Sequence, residues 1–198
     1  MAMKKFLTIL FLLPLLVGCK EEDTLLTERD KIEKYLTSSR RMVAEENLGE
    51  IIENNPAFYS TFGRYAYRHI VNYYDAGRED RPVVDWGDEI EVWFNAFTFS
   101  GSEPSISTNL YWSNIPDVIE QVGQKSDNTL VWSGEPMRIK LGTTPILAGL
   151  EHTLPGCREA DSVQVYMTSS LAYGKNLVGV VEKNSMIAWY IGIKKVIK

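Results

Sequence analysis

The sequence predicts an α+β fold in which a curled antiparallel sheet closes on one short helix. Three neighbouring segments support this prediction. Met137–Leu141 alternates apolar and basic residues, which is the period-2 pattern of a strand with one buried face. Thr144-Pro145 has the residue types that begin a helix, and Pro155-Gly156 ends it. Ser162–Met167 then alternates again, so a helix between two such strands predicts a sheet curled around it.

The N-terminal residues have the features of a secretory signal. Lys4 and Lys5 precede the apolar run Phe6–Val17, which is shorter than the ~20 residues of a membrane-spanning helix. The run ends at Leu16-Val17-Gly18-Cys19, which resembles the box of bacterial lipoproteins, where cleavage precedes a lipidated cysteine. We therefore expect a signal peptide at residues 1–18 and lipidation of Cys19. The alternative is an ordinary secretory signal followed by a coincidental cysteine.

Residues 19–61 are predicted to form a helical spacer between the lipid anchor and the folded domain. Lys20-Glu21-Glu22-Asp23 resembles the surface-export signal of Bacteroidetes lipoproteins, which predicts an outer-membrane location facing the periplasm or the cell surface. Thr27–Glu46 is rich in charged residues, and its apolar stripe contains only Ile32, Leu36 and Val43. This pattern predicts a mostly exposed helix. A dimerising coiled coil is the alternative, which needs a longer stripe.

Residues 62–198 are predicted to form the folded domain. In Phe62–Tyr74, alternation places His69 on a strand, and we interpret it as a surface or half-buried strand residue rather than a catalytic base. In Asp88–Phe99, Phe94 shares a face with Ile90, and the opposite face is also partly apolar. Because both faces of this strand carry apolar residues, we expect the outer face to be covered.

A long connection, residues 110–135, is predicted to be an insertion with a structure of its own. Within it, Ser113–Gly123 is predicted to form a short helix capped by Ser113 and ended by Gly123. Its aromatic residues Tyr111, Trp112 and Trp132 are predicted to pack the insertion down. A binding surface is the alternative for these three side chains.

The last strand is predicted at Ser185–Lys194, where Trp189 shares an apolar face with Ile187. Cys157 is predicted to be a buried and inert residue. The formal charge of −5 without a basic run argues against nucleic acid and against electrostatic attachment to anionic membranes. Two histidines without Cys, Asp or Glu at ligand spacing do not indicate a metal site.

Several short motifs occur in an order that resembles the FKBP-type peptidyl-prolyl isomerases. They are Leu141-Gly142, Ile146-Leu147, Gly149-Leu150-Glu151, Leu154, Gly156, Ala172-Tyr173-Gly174 and Asn184-Ser185. Upstream, Gly87-Asp88 and Val92-Trp93-Phe94 fit the first two strands of that family. The resemblance covers about residues 62–198 and implies an FKBP-like half-barrel of about five antiparallel strands wrapped around a short helix.

The resemblance also implies a proline-binding pocket between the helix and the concave face of the sheet. By position in the family pattern, the catalytic residues are Tyr173, Phe94 and Trp189, and the substrate-binding residues are Met137, Ile146, Leu147, Leu150 and Val181. In this arrangement Phe94 and Trp189 are walls and Leu150 is the floor. The Tyr173 hydroxyl donates to a carbonyl beside the proline, and the N–H groups of the helix start are available to a substrate carbonyl.

Such a pocket implies catalysis of X–Pro isomerisation. The barrier of about 18–20 kcal/mol is lost amide resonance, so the reaction needs no nucleophile, metal or cofactor. The twisted amide is less charge-separated than the planar one, and an apolar, water-poor cleft favours it. We therefore expect a cell-envelope isomerase that assists folding of exported, proline-containing proteins and meets the membrane only through its lipid.

Three departures from the family pattern keep a second hypothesis open. Met137 and Leu150 stand at positions that are aromatic in the family, and the family's Phe-Asp pair aligns with Ile106-Ser107, so its acidic pocket residue is missing here. The insertion 110–135 also enters near the pocket rim. The alternative function is that of a catalytically inactive FKBP-like module that binds peptides or a partner protein.

Overall fold

The computed structural model describes residues 13–50, 54–123 and 130–198. The predicted signal peptide at residues 1–18 lies mostly outside these ranges, and the Cys19 side chain is also outside what is described. Signal cleavage and lipidation therefore stay predictions. No helix within the described ranges is long and apolar enough to cross a membrane.

The described chain contains eight strands of one sheet and three α-helices. The strands are β1 (Val43–Ala44), β2 (Phe58–Phe62), β3 (Ala66–Ile70), β4 (Glu89–Phe99), β5 (Leu110–Ser113), β6 (Met137–Lys140), β7 (Ser162–Met167) and β8 (Met186–Ile197). The α-helices are α1 (Leu13–Lys34), α2 (Pro116–Val122) and α3 (Ala148–Thr153). A π-helical turn at Tyr35–Ser39 continues α1.

The strands follow the order β1-β2-β3-β7-β8-β4-β5, and β6 also pairs with β4. Strands β1 and β2 pair in parallel, and the other strand pairs within the described ranges are antiparallel. Strand β4 pairs with β8 along its whole length, while its other edge carries β6 and then β5. The α+β half-barrel is confirmed. The sheet has more than about five strands because the N-terminal segment adds β1 and β2, and the predicted insertion begins with β5.

One face of the sheet closes on α3, as the alternation predicts. Ile90 and Phe94 of β4 and Ile187 and Trp189 of β8 lie in one buried cluster, which we call the concave core. Leu150 of α3 packs into the same cluster and is 1% exposed. The period-2 pattern therefore identifies the buried face of both central strands correctly.

The opposite face of the sheet is covered by α1 and its continuation. Ile32 and Leu36 are 0% exposed and pack in a second cluster, the outer core, with Phe97 and Tyr166. The prediction that Thr27–Glu46 is mostly exposed is wrong for this part of the segment. Its thin apolar stripe packs against aromatic residues of the sheet, which are large apolar partners.

Two predicted helix starts are also wrong. Helix α2 begins at Pro116, and Ser113 belongs to β5, where its hydroxyl donates to the Phe94 carbonyl at 3.2 Å. Helix α3 begins at Ala148, and the Thr144 hydroxyl accepts a hydrogen bond from the Lys140 N–H at 2.9 Å instead of capping a helix. Both side chains satisfy strand-end backbone groups, a role that competes with helix capping.

Cys157 is buried at the end of the α3 segment, as predicted. It is 0% exposed, and burial raises the pKa of its thiol to about 11. A thiol with so high a pKa holds almost no nucleophilic thiolate at neutral pH. His69 is also buried, with its Nδ1 atom 2.7 Å from the Phe58 carbonyl oxygen. That contact joins β3 to β2 and gives the ring a structural role.

Candidate functional site

Three aromatic rings meet at the concave face of the sheet. Phe94 of β4 and Trp189 of β8 lie on neighbouring strands, and their rings stack with centroids 4.4 Å apart and planes 25° apart. Trp112 of β5 meets both rings edge-on, with centroids 4.7 Å from Phe94 and 5.5 Å from Trp189. Because these residues alternate onto the same face of adjacent strands, the sheet itself fixes the cluster.

A chain of hydrogen bonds runs from this cluster to the site's partly exposed edge. The Trp189 Nε1–H donates to the Tyr111 hydroxyl at 3.0 Å, and the Tyr111 and Tyr173 hydroxyls lie 3.3 Å apart. Tyr111 is 1% exposed, whereas Tyr173 is partly exposed. Burial raises the pKa of both tyrosines above their ordinary value of about 10. Both hydroxyls therefore stay protonated at neutral pH.

The turn that carries Tyr173 is fixed at both ends. The N–H groups of Ala172 and Gly174 donate to the Ser169 carbonyl at 3.1 and 2.9 Å. The Gly174 carbonyl accepts from the Asn184 N–H at 2.7 Å, which ties the turn to the segment before β8. Gly174 has a φ of +57°, a conformation that glycine adopts without steric cost. The positive φ at Gly174 therefore explains the glycine of the Ala-Tyr-Gly motif.

The residues before α3 pack against the concave core. The Leu147 carbonyl accepts from the Leu150 and Glu151 N–H groups at 2.9 and 3.1 Å, and no described residue accepts from the Ile146 or Leu147 N–H. Gly149 allows α3 to lie against β7, because a Cβ there would be 2.7 Å from Met167 Sδ and 3.0 Å from Met167 Cβ. The start of α3 thus carries two N–H groups without an acceptor in the described chain, next to the core against which Tyr173 also packs.

All eight residues predicted to bind or act on a substrate belong to this one region. Four are buried in the concave core: Phe94, Leu150, Val181 and Trp189. Four are partly exposed and pack against it: Met137, Ile146, Leu147 and Tyr173. Their roles in binding and catalysis remain predictions, but the structure gathers them at one place in the fold.

The predicted roles of Phe94 and Trp189 as pocket walls stay predictions, but their direct contact limits the geometry of such a pocket. A ring held between two aromatic faces needs centroids about 7 Å apart, because each contact takes about 3.5 Å. These two rings are 4.4 Å apart, so no ring lies between them. Met137, Ile146 and Tyr173 are partly exposed and pack against the same core.

Sequence reasoning missed the position of Tyr111 in the site. The resemblance aligns the family's Phe-Asp pair with Ile106-Ser107, but Ile106 packs against the outer core. Tyr111, in the strand β5 that follows, has its hydroxyl within hydrogen-bond distance of Trp189 Nε1 and of the Tyr173 hydroxyl. The aromatic-rich run Leu110–Ser113 was a usable signal, since such residues favour strands.

Asn114 is a second residue that sequence reasoning missed. It is 2% exposed, and its side-chain oxygen accepts from the Phe94 N–H at 2.7 Å. Its Nδ2 atom donates to the carbonyls of Val92 and Glu135, both at 2.9 Å. The Asn114 side chain therefore satisfies backbone groups of β4 between the stretches that pair with β5 and with β6. These hydrogen bonds fix the backbone of Phe94.

Comparison with known proteins agrees with this fold. Residues 117–194 match the model of the FKBP-type peptidyl-prolyl cis-trans isomerase family, which is less than half of the chain. The matched segment includes α3, the Tyr173 turn and most of β8. This segment is therefore similar to the FKBP-type isomerases, as the motifs in the sequence indicate. No curated protein sequence matches the chain.

Two solved structures are similar to this chain. The crystal structure of FkpA from Escherichia coli has 14% sequence identity and a TM-score of 0.50, covering 93% of this chain and 68% of that one. The structure of the three FKBP domains of wheat FKBP73 has 14% identity and a TM-score of 0.48, covering 70% of this chain and 48% of that one. At such identity the first of these similarities supports the FKBP-like fold.

Proposed function

We propose that this protein catalyses cis–trans isomerisation of X–Pro bonds in exported polypeptides at the cell envelope. The family match and the FKBP-like fold support an isomerase domain. The reaction makes and breaks no covalent bond, so its barrier falls when the surroundings favour a twisted amide over a planar one. Each ~1.4 kcal/mol of that preference raises the rate tenfold.

The observation that carries the proposal is the donor chain from Trp189 through Tyr111 to Tyr173. When Tyr111 accepts from Trp189 and donates to Tyr173, the Tyr173 O–H proton is left to donate to a substrate carbonyl. The Leu147 N–H, which has no acceptor in the described chain, is the second donor that we propose for the substrate. These groups orient the peptide, while the apolar surface of Met137 and Ile146 excludes water from the amide.

Tyr173→Phe tests this assignment in an isomerase assay on a short X–Pro peptide. Loss of one hydrogen bond to the substrate is expected to lower kcat/KM by about two- to ten-fold. Tyr74→Phe is the matched control, because the Tyr74 hydroxyl is exposed and donates to the Pro56 carbonyl. A wild-type rate equal to the uncatalysed rate at micromolar protein would refute the proposed activity.

We also propose that the protein is an outer-membrane lipoprotein, attached through Cys19. The apolar run before Leu16-Val17-Gly18-Cys19 supports this location. Incorporation of a labelled fatty acid in cells, lost in Cys19→Ser, is the expected result. Labelling that persists in Cys19→Ser would show that the lipid is attached at another residue. Protease shaving of intact cells then separates the periplasmic from the surface-facing orientation.

One observation favours the second candidate, a binding module without turnover. Phe94 and Trp189 contact each other, and their exposed fractions are only 1% and 2%, so neither offers a free face to a proline ring. A module of this kind suppresses aggregation of an unfolded protein without accelerating X–Pro isomerisation. Suppression that is unchanged by Trp189→Ala, together with no isomerase rate, would favour this function.

A further inference from the structure

Helix α1 reaches the turn that carries Tyr173 through one buried carboxylate. Glu28 is 5% exposed. Its oxygens accept from the Ser169 backbone N–H at 2.8 Å and from the Ser169 hydroxyl at 2.8 and 3.1 Å. In the described part of the chain, Glu28 forms no ion pair. A buried carboxylate is costly unless it is well hydrogen-bonded, and here these hydrogen bonds all come from one residue, Ser169.

Ser169 is the residue from which the Tyr173 turn is built. Its carbonyl accepts from the N–H groups of Ala172 and Gly174, the two neighbours of Tyr173 in the chain. Glu28 holds the N–H and the hydroxyl of the same residue. The position of Tyr173 therefore depends on where α1 places the Glu28 carboxylate.

The next residue of α1 contacts the turn between β2 and β3. The Arg29 guanidinium lies over the Tyr65 ring, 4.0 Å from its centroid. The Tyr65 carbonyl accepts from the Thr168 N–H at 2.9 Å and from the Thr168 hydroxyl at 3.2 Å. Arg29 therefore packs on the residue whose carbonyl holds Thr168, the neighbour of Ser169 in the chain.

We propose that Glu28 is a positioning residue for the isomerase reaction: it holds Ser169, and through it the hydroxyl of Tyr173, at the edge of the concave core. This inference rests on the proposed function. It assigns a role in the reaction to an N-terminal segment that lies outside the family match at residues 117–194. Glu28 touches no substrate; it acts through the turn.

The test compares three variants of the full chain in peptide-isomerase kinetics and in amide hydrogen exchange. Glu28→Ala removes the contact, whereas Glu28→Gln keeps one acceptor oxygen for the Ser169 N–H. Asp30→Ala is the matched control, because Asp30 is an exposed acidic residue of the same helix. Circular dichroism confirms that each variant is folded at the assay temperature.

Glu28→Ala is expected to lower kcat and kcat/KM together by about fivefold or more, with exchange of the Ala172 and Gly174 amides accelerated. Glu28→Gln is expected to restore kcat to within about twofold of wild type, and Asp30→Ala to leave both readouts unchanged. Unchanged exchange at these amides in Glu28→Ala overturns the inference. Faster exchange with unchanged kinetics also overturns it, because the contact is then only structural.

The same experiment separates this inference from the proposed function. If the wild-type protein shows no isomerase rate, the proposed activity fails, and the role of Glu28 is judged by the affinity for the X–Pro peptide. Weaker peptide binding in Glu28→Ala but not in Asp30→Ala then supports positioning of Tyr173. Equal binding by both variants, or no binding by any of them, overturns it.

Discussion

Trp189 combines packing and hydrogen bonding in a way that makes its neighbours interdependent. Its ring stacks on Phe94, and its Nε1–H reaches the Tyr111 hydroxyl at 3.0 Å in a region with almost no solvent exposure. A buried donor that loses its acceptor costs more than the hydrogen bond contributed. Tyr111 therefore carries a stabilising role in addition to its contact with Tyr173.

Tyr111→Phe is expected to lower the free energy of unfolding by about 1–3 kcal/mol, because it leaves the Trp189 Nε1–H unpaired in the core. The same substitution in a Trp189→Phe background is expected to cost less, since the donor is already absent. Urea unfolding of the four proteins in this double-mutant cycle measures the difference. Strictly additive effects would contradict a direct interaction between the two side chains.

At the scale of elements, α1 is part of the folded domain. Its Ile32 and Leu36 contact the outer face of the sheet, and Tyr35 lies edge-on to Phe99 with centroids 5.1 Å apart. Glu33 accepts two hydrogen bonds from Arg64 and one from Tyr67, which fixes the helix across β3. The helix that was predicted to be a spacer therefore closes one side of the sheet.

Leu36→Ala is expected to destabilise the protein by about 2–5 kcal/mol, because a fully buried leucine leaves a cavity between α1 and the sheet. Leu26→Ala on the same helix is the control. Leu26 is 45% exposed, and its loss is expected to cost less than about 0.5 kcal/mol. Chemical denaturation of both variants measures the two costs, and equal small effects would restore the spacer interpretation.

At the scale of the whole molecule, one sheet separates two buried clusters, with α3 on one side and α1 on the other. The Tyr173 turn lies where the two sides meet, since it touches Tyr111 of the concave core and is held by Glu28 of α1. Unfolding of either cluster therefore exposes strands that the other needs, which predicts a single cooperative transition.

Stability is expected to fall as the solution is acidified, in part through His69. Burial lowers the pKa of His69, so the unfolded chain binds this proton at a higher pH than the folded one. Below an unfolded pKa of about 6.5 the unfolded state holds more protons, and the free energy of unfolding decreases until the folded pKa is passed. The stabilising contribution of the neutral His69 side chain is fully present above about pH 6.5 and is lost as the pH falls toward the folded pKa.

His69→Gln removes that titrating group and keeps a side-chain donor for the Phe58 carbonyl. Denaturation at about pH 7.5 and about pH 5.5 is expected to show a smaller loss of stability in this variant than in wild type. His152→Gln, at an exposed position of α3, is the matched control. An identical loss in wild type and His69→Gln would rule out a contribution from His69.

The sequence by itself determined which residues face the concave core. Alternation in β4 and β8 placed Phe94 and Trp189 on buried faces, and the motifs around Ile146 and Tyr173 indicated the FKBP-like order of elements. These properties are local, because a side chain's face depends on its position within its own strand or helix.

The tertiary structure alone decided which of these residues touch. Trp189 meets Tyr111 and Ser169 meets Glu28 across long separations in the chain, and no periodicity specifies such a pair. The tertiary structure also decided that α1 covers the sheet rather than extending from it. The thin apolar stripe of α1 is buried there against aromatic residues of the sheet's outer face. An apolar pattern in the sequence shows that a surface must be buried, but only the tertiary structure shows which other surface covers it.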